Sequence, residues 1–472
     1  MKNNLLILII STLLCFSQSF SQEKVIKLDN KVVTPNHVGI YDTDLLPSSF
    51  HKERREKLRN LLPDSSVAIL YSSPIRNRSN DVDYEYHQDP NFYYLTGLIE
   101  PHSVIIIYKE KREINGVMTN EIAFVQPRDA SKELWMGKRM GVDGVKQILD
   151  IETVLANKKI KDMALNLTEK DKVFFIADKN DTRDTRSSSD LYDTKQLLNQ
   201  LTEKTTQDNY KLNKWMAQLR EIKTEEELLL MRKAIDITCK AQIELMKKLN
   251  PDMAEYQSEA LVEYHFKNEG AEHAGFPSIH GSGGNSCILH YVSNRRMFEQ
   301  NDLLVSDIGA EYHGYTADVT RTLPVNGTYS KEQTIIYNIV LEAQTAGIKA
   351  CVEGNSFWKP GQIANEIITK RLLELGIIKK ASEVKKYFPH GTSHYLGLDV
   401  HDAGMYNALQ AMQVITVEPG IYIPEGSDCD EKWWNIGVRI EDDILITNMK
   451  PINLSGCVPR TIKEIEEIMK KK

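Results

Sequence analysis

Residues 303–324 read LLVSDIGAEYHGYTADVTRTLP. Two β-rich runs flank a short polar break, and each carries one carboxylate, Asp307 and Asp318, among residues suited to a pleated, half-buried surface. Folded as a tight hairpin about Tyr312 and His313, the runs set Asp307 opposite Asp318, because both are equidistant from that centre. Directly opposed strand residues have Cβ atoms about 5 Å apart, and like charges there repel. A divalent cation between them relieves the repulsion; without one, burial raises a carboxyl pKa until the group neutralises. On this stretch alone, a solvated hairpin with two surface aspartates is the alternative.

A second pair of runs favours the cation. Residues 414–424, VITVEPGIYIP, and 437–447, GVRIEDDILIT, are again strand-like, with Glu418 and Glu441 in mid-run. Four strand-borne carboxylates with an imidazole form a hard-ligand cluster. Two divalent ions balance four carboxylates and leave room for a bridging hydroxide. Oxygen-rich ligation with a single His suits manganese or a similar first-row ion better than a thiolate zinc site.

The chain has 472 residues, beyond the size at which a single core keeps growing, so two domains are expected. A net charge of −7 and a pI near 6.0, with no basic tract, argue against a nucleic-acid or anionic-membrane partner. At the start, Lys2 precedes an apolar run over 5–16, and Ser19 and Ser21 precede Gln22. This pattern predicts a secretory signal at 1–21 and export to a periplasm or the outside. The run is too short to span a bilayer, so no membrane span is expected after signal removal. An uncleaved anchor is the alternative. Of six cysteines, Cys15 leaves with the signal. Cys239, Cys287, Cys351, Cys429 and Cys457 remain, an odd number without CxxC, and read as small buried hydrophobes rather than a disulfide framework.

Residues 36–208 alternate strands (66–71, 104–108, 122–125, 173–177) with a helix over 51–62, an α/β scaffold without clustered ligand-type residues. A polar interval, 202–209, marks the boundary. Beyond it a helical pattern begins at 214, and Thr224 with Glu227 forms a capping box opening a helix that Pro251 stops. Helices follow over 255–269, closed by Gly270, and over 331–351 and 360–375. Gly281, Gly283 and Gly284 match no phosphate-loop pattern and read as a sharp turn beside a cleft. His290 closes that strand-like run, where a lone His is more often core or surface than catalytic. His390, His394 and His401 fall within a dozen residues, with Gly391 and Gly397 favouring a loop that leads into a strand over one helix face. The whole predicts α+β layering with a site on the sheet's concave face.

Five contexts together resemble a known family: Asp307 and Asp318 in SDIGAEYHGYTADVTRT, His394 in HGTSHYLGLDVHD, Glu418 in VEPGIYIP and Glu441 in GVRIEDD. They are similar to the metallopeptidases of the pita-bread fold, specifically aminopeptidase P (Xaa-Pro aminopeptidase). YHQDPNFYYLTGLIEP (86–101) and 134–141 resemble that family's creatinase-like amino-terminal domain, and LREIKTEEELLLMRKA (219–234) its linker helix. The resemblance implies an amino-terminal domain over 36–208 and a pita-bread catalytic domain over 209–466. It implies a metallo-exopeptidase that hydrolyses the Xaa-Pro bond of peptides with proline second, using two divalent ions, Mn2+ foremost, Zn2+ or Co2+ otherwise. Asp307 would chelate one ion, Asp318 and Glu441 would bridge, and His394 and Glu418 would hold the other. Glu418 would be the general base and then acid. His290 and His401 would contact substrate and the tetrahedral intermediate, and His390 and Arg439 would line the proline side. A homodimer or homotetramer is likewise implied. The family usually has a Pro-Gly turn before the Glu418 strand, where this chain reads Leu409-Gln-Ala-Met-Gln413. A prolidase shares the fold and ligands and remains the nearest alternative; a methionine aminopeptidase, a metal-free binding module and a creatinase-like hydrolase are further ones.

Overall fold

The computed structural model describes residues 43–163, 165–176, 191–208 and 210–470. The expected signal at 1–21 lies outside them, as do 36–42 of the first expected domain. Asp44 onward forms one compact unit.

The first half is built on a six-stranded mixed sheet. Its order is Val154–Ala156, Val117–Val125, Val104–Ile114, Ser66–Tyr71, Lys172–Phe175 and Thr206–Asp208. Residues 67–70, 104–108 and 122–125 of the central strands are apolar because both faces are covered there, while 109–113 are charged and mostly outside the core. Val67, Ile69, Ile106 and Phe124 pack on one side with Leu191 and Leu198, while Ala68, Leu70, Ile105 and Val125 join the larger core shared with Phe50 and Leu58 of helix Ser48–Leu61. Of the expected strands, 66–71 forms as marked, 104–108 and 122–125 lie within longer strands, and 173–177 is seen as Lys172–Phe175, its residue 177 lying outside the described residues.

Helix Lys211–Arg220 leads to the capping box, in which Glu227 N–H donates to Thr224 Oγ1 at 3.3 Å and Thr224 N–H to Glu227 Oε2 at 2.8 Å. The helix it opens, Glu225–Lys248, lies against the 303–324 hairpin and satisfies backbone groups where the strands break. Thr238 Oγ1 accepts from Ala310 N–H at 2.9 Å, and buried Gln242 donates to Ser306 O and Val319 O at 2.9 and 3.0 Å. Helix Glu255–Asn268 follows, ending before Gly270 at φ 95°. Helices Lys331–Lys349 and Lys359–Glu374 complete the layer.

The hairpin itself differs from expectation. Its turn is His313-Gly314, both at positive φ (49° and 82°), as a two-residue type I′ turn requires. Tyr312 therefore pairs with Tyr315, and Asp307 pairs with Thr320 rather than with Asp318. Asp318 lies in a break between strands Tyr315–Thr316 and Val319–Pro324. Opposite that break is Gly309, where a Cβ would collide with Ala317 O. Directly opposed acids occur instead in the later pair. Val417 pairs with Asp442 and Gly420 with Arg439, so the common register sets Glu418 across from Glu441. Neither acid is in mid-strand: strands Val414–Val417 and Gly420–Ile423 break at Glu418, and Ile436–Arg439 and Asp442–Leu445 break at Glu441.

Two further expectations are corrected. His290 lies in an exposed turn after a short 3-10 helix, not in a strand, and the loop holding three histidines runs on past His401 to the strand at Val414. Cys457 is exposed, and Cys287 and Cys429 are half-buried, so only Cys239 and Cys351 are small buried hydrophobes.

Candidate metal centre

The breaks in the strands create the site. At each break the backbone leaves the ladder, so its N–H needs another acceptor and its side chain is free to face the cleft. Asp318 N–H donates to Asp443 Oδ2 at 3.2 Å, Glu418 N–H to Thr392 O at 2.9 Å and Glu441 N–H to Thr320 O at 3.1 Å. Three carboxylates thus converge with Asp307 from its strand.

Ligand atoms of Asp318, His394 and Glu441, all buried, lie within 4.8 Å of one another. His394 Nε2 is 3.5 Å from Asp318 Oδ2 and 3.6 Å from Glu418 Oε1. The other ring nitrogen, Nδ1, donates to Tyr395 O at 3.0 Å, a bond that selects the tautomer with Nε2 free as a ligand. Asp307 accepts from Arg439 Nη2 at 2.6 Å and shares a hydrogen bond with Asp318.

The electrostatics of the cluster favour a cation. Burial, then the charge of Asp307 and other nearby carboxylates, drives the Asp318 carboxyl well above its ordinary range; burial, then Asp318 and Glu418, does the same to Glu441. Burial pushes Glu418 up to about 7 against the opposing pull of His394 and Arg439. Among the described residues, Asp307 Oδ1, Asp318 Oδ1 and Glu441 Oε1 are buried with no hydrogen-bond partner. Orphaned carboxylate oxygens aimed together are costly unless a cation receives them. The donor set, carboxylate oxygens with a single imidazole, fits hard divalent ions.

The remaining expected residues surround this centre. The His394 and His401 rings are 4.1 Å apart, and His401, on the exposed rim, is pushed down to about 4 by partial desolvation and then by the imidazoles of His394 and His290. His390 Nδ1 donates to Gly391 O at 2.7 Å, so its Nε2 accepts from Tyr422 Oη at 2.8 Å; burial, then Arg439, lowers it to about 4. Arg439 is buried and donates also to Tyr422 Oη at 3.0 Å and Thr320 Oγ1 at 3.2 Å. It thus reaches the acid cluster, not only the cleft wall assigned to it by resemblance. Met412, in the stretch that departs from the family's turn, takes φ 70°, a conformation disfavoured outside glycine, and is pinned by Met412 N–H to Ile446 O and Lys223 N–H to Met412 O, both at 2.9 Å.

Several contributors were missed in the sequence. Tyr422 bridges His390 and Arg439, and Thr320 Oγ1 donates to Glu441 Oε2 at 2.7 Å. Asp402, next to His401, is clamped by Arg220 and by Lys223 Nζ at 2.7 Å. Fully buried Glu255 accepts from Ser282, Asn285 and Tyr291 side chains and from the Ser282 and Arg296 N–H groups, which fixes the loop bearing His290. The HD pair at 401–402 was the one local signal among these; the others depend on partners far along the chain.

The hairpin tip carries a titratable clamp. His313 bonds Glu272 Oε1 at 2.6 Å and Asp44 Oδ1 at 3.0 Å. Burial opposes its charge, but these two carboxylates outweigh it and push the imidazole up to about 9. A raised histidine pKa stabilises fully below the unfolded value of 6.5, and that stabilisation is lost as pH rises through about 9. Asp44 and Glu272 are lowered, each against the opposing effect of burial, so their share is lost at acid pH. The melting midpoint should fall on going from about pH 7 to about pH 9.5. His313→Asn keeps a residue tolerant of positive φ and should flatten that fall; an unchanged slope would exclude the clamp.

Residues 229–448 match the family described as metallopeptidase family M24, and residues 51–175 match the aminopeptidase P, N-terminal domain. The Xaa-Pro aminopeptidase of Haemophilus influenzae is 33% identical over 440 residues, covering 90% of this chain and 98% of that protein. The chain belongs to the aminopeptidase P family. It is a metallo-exopeptidase by that membership, with the family's creatinase-like amino-terminal domain and pita-bread catalytic domain. The Pseudomonas aeruginosa aminopeptidase PepP superposes with a TM-score of 0.82 at 31% identity, covering 90% of this chain and 99% of that one. A glutamate-to-alanine variant of Escherichia coli aminopeptidase P, solved in complex with substrate, superposes at 0.81 with 32% identity over 90% and 99% of the chains. No helix among the described residues is long and apolar enough to cross a membrane.

Proposed function

We propose that this aminopeptidase P binds two divalent ions, manganese foremost, through Asp307, Asp318, His394, Glu418 and Glu441, and with them removes the first residue from peptides whose second residue is proline. The observation that carries this reading is the gathering of three buried carboxylates and half-buried Glu418 about one imidazole, with three carboxylate oxygens left unpartnered among the described residues. Charge balance of four carboxylates supports two ions rather than one. Divalent ions held there lower the pKa of bound water toward neutrality and polarise the peptide carbonyl.

The chain's own groups perform the rest. Glu418, beside His394, takes a proton from the attacking water and passes it to the proline nitrogen as that bond breaks. His290 and His401, at the rim, donate to the oxygen on which negative charge develops. His390, Arg439 and Tyr422 form a linked wall on the proline side. Such a pocket is needed because an Xaa-Pro bond has no N–H and a ring-fixed φ, so a site that reads the amide N–H cannot hold it. Export to a periplasm or the outside is supported by the pattern over 1–21, and a homodimer or homotetramer by the family resemblance.

The test uses chelator-treated protein, with and without manganese, on an Xaa-Pro-Pro tripeptide and an Xaa-Pro dipeptide. Release of the first residue from the tripeptide, lost on chelation and regained with manganese, is expected. Cleavage of the dipeptide alone would make the enzyme a prolidase. Metal analysis of the reloaded protein should find two ions per chain, and a single ion would refute the paired site.

A further inference from the structure

Cys239 and Cys457, far apart in sequence, meet beneath the metal-ligand strands. Cys239 projects from helix Glu225–Lys248, buried, and its Sγ donates to Ser455 O at 3.8 Å. The same carbonyl accepts Val458 N–H at 3.1 Å, closing a turn over the Cys239 sulfur that carries Cys457 at its exposed side. The Cys457 sulfur lies beside the Cys239 thiol as the alternative acceptor for its one proton. Cys351, by contrast, just past the end of helix Lys331–Lys349, spends its thiol on Gly347 O at 3.4 Å.

This turn supports the site. Ser455 Oγ donates to Asp442 Oδ1 at 2.9 Å and accepts Asp443 N–H at 3.0 Å, and Leu454 N–H donates to Asp443 O at 2.8 Å. Asp443 in turn receives Asp318 N–H. A covalent link here would tie the helix and the turn together across a very long chain loop, the case in which a cross-link restricts the unfolded chain most.

We propose that Cys239 and Cys457 are a redox-active pair that closes to a disulfide and staples the turn 454–458 to the helix beneath the ligand strands. The oxidant is a small-molecule disulfide such as oxidised glutathione. Cys457 thiolate attacks one sulfur of that disulfide, forming a mixed disulfide and expelling one glutathione thiolate, which takes up the proton lost by Cys457. Cys239 then attacks the Cys457 sulfur, the protein disulfide forms, and the second glutathione thiolate leaves with the Cys239 proton. Two protein thiols are oxidised and one glutathione disulfide is reduced to two thiols. Exposure favours Cys457 as the first attacker, and the Cys239 thiol, when it turns its proton from Ser455 O to the Cys457 sulfur, holds Cys457 below the usual cysteine range.

Full-length reduced protein is incubated with oxidised glutathione, quenched by alkylation and digested without reductant. The expected result is a peptide linking residues 239 and 457, an intact mass lower by two hydrogens, and a melting midpoint higher by about 5 °C, reversed by dithiothreitol. Cys457→Ser, at an exposed position, should abolish all three changes. Cys239→Ala should leave a lasting glutathione adduct on Cys457. No oxidation, a persistent adduct on Cys457 of the unmutated chain, or a cross-link that leaves the midpoint unchanged would each overturn the proposal.

Discussion

Glu418→Gln lowers kcat by about a thousandfold or more, with a smaller change in KM. The expectation follows from the position of this side chain. It lies 3.6 Å from His394 Nε2 and directly across the strand register from Glu441, so it borders the position where water and peptide carbonyl must meet. Its carboxyl is thus placed to take a proton from that water and return it to the leaving nitrogen. Glutamine keeps the shape and one oxygen but cannot carry the proton, and general acid–base groups contribute about 10² to 10⁴ in rate. Because Glu418 is also an expected ligand, metal content is measured on the same sample. A variant that retains two ions and loses kcat isolates the proton-transfer role. A variant that retains both ions and full kcat would remove Glu418 from the chemistry.

Arg321→Met unfolds the site from behind. Arg321 is fully buried in strand Val319–Pro324, and every one of its donor nitrogens is used. Nε donates to Pro459 O, Nη1 to Thr320 O and Glu441 O, and Nη2 to Val458 O and Asp442 Oδ1, the last at 2.7 Å. Removing the guanidinium leaves a buried Asp442 charge short of its main counter-ion and several carbonyls unsatisfied. Breaking such a pair costs about 3–5 kcal/mol, far more than an exposed pair. Urea unfolding should show a midpoint shift of that size. Since the same guanidinium holds the Glu441 carbonyl, the folded fraction should also bind manganese more weakly. Adding Asp442→Asn should restore part of the loss, because the stranded charge is then gone while Gln344, Asn453 and Ser455 still hydrogen-bond the side chain. Equal stability of Arg321→Met and the unmutated chain would contradict this account.

Much of the site was legible because its chemistry conflicts with its surroundings. A carboxylate inside a Val- and Ile-rich run is improbable as packing, so Asp307, Asp318, Glu418 and Glu441 stood out without any partner being known. The longer helices were equally readable, since a capping box such as Thr224-Glu227 or a closing Gly270 acts over a few residues, whereas Pro90–Thr96, Ala130–Met136, Gly141–Ile148, Leu191–Thr202 and Ile462–Met469 were not marked. Register was less secure. Placing the turn at Tyr312-His313 instead of His313-Gly314 mispaired Asp307, although Gly314 was the available sign that positive φ would fall there.

Composition and short-range pattern therefore marked which residues could ligate metal and most of the strands and longer helices around them. The convergence of those ligands was settled by contacts between distant parts of the chain. Glu418 faces Glu441 because two strands change partners at the same place. Arg321, Tyr422, Asp402 and Glu255 gain their roles from groups more than a dozen positions away, which no local periodicity encodes. Local preferences act through backbone sterics within a turn or two. Burial, like-charge crowding and the pairing of buried polar groups exist only once the chain has closed on itself.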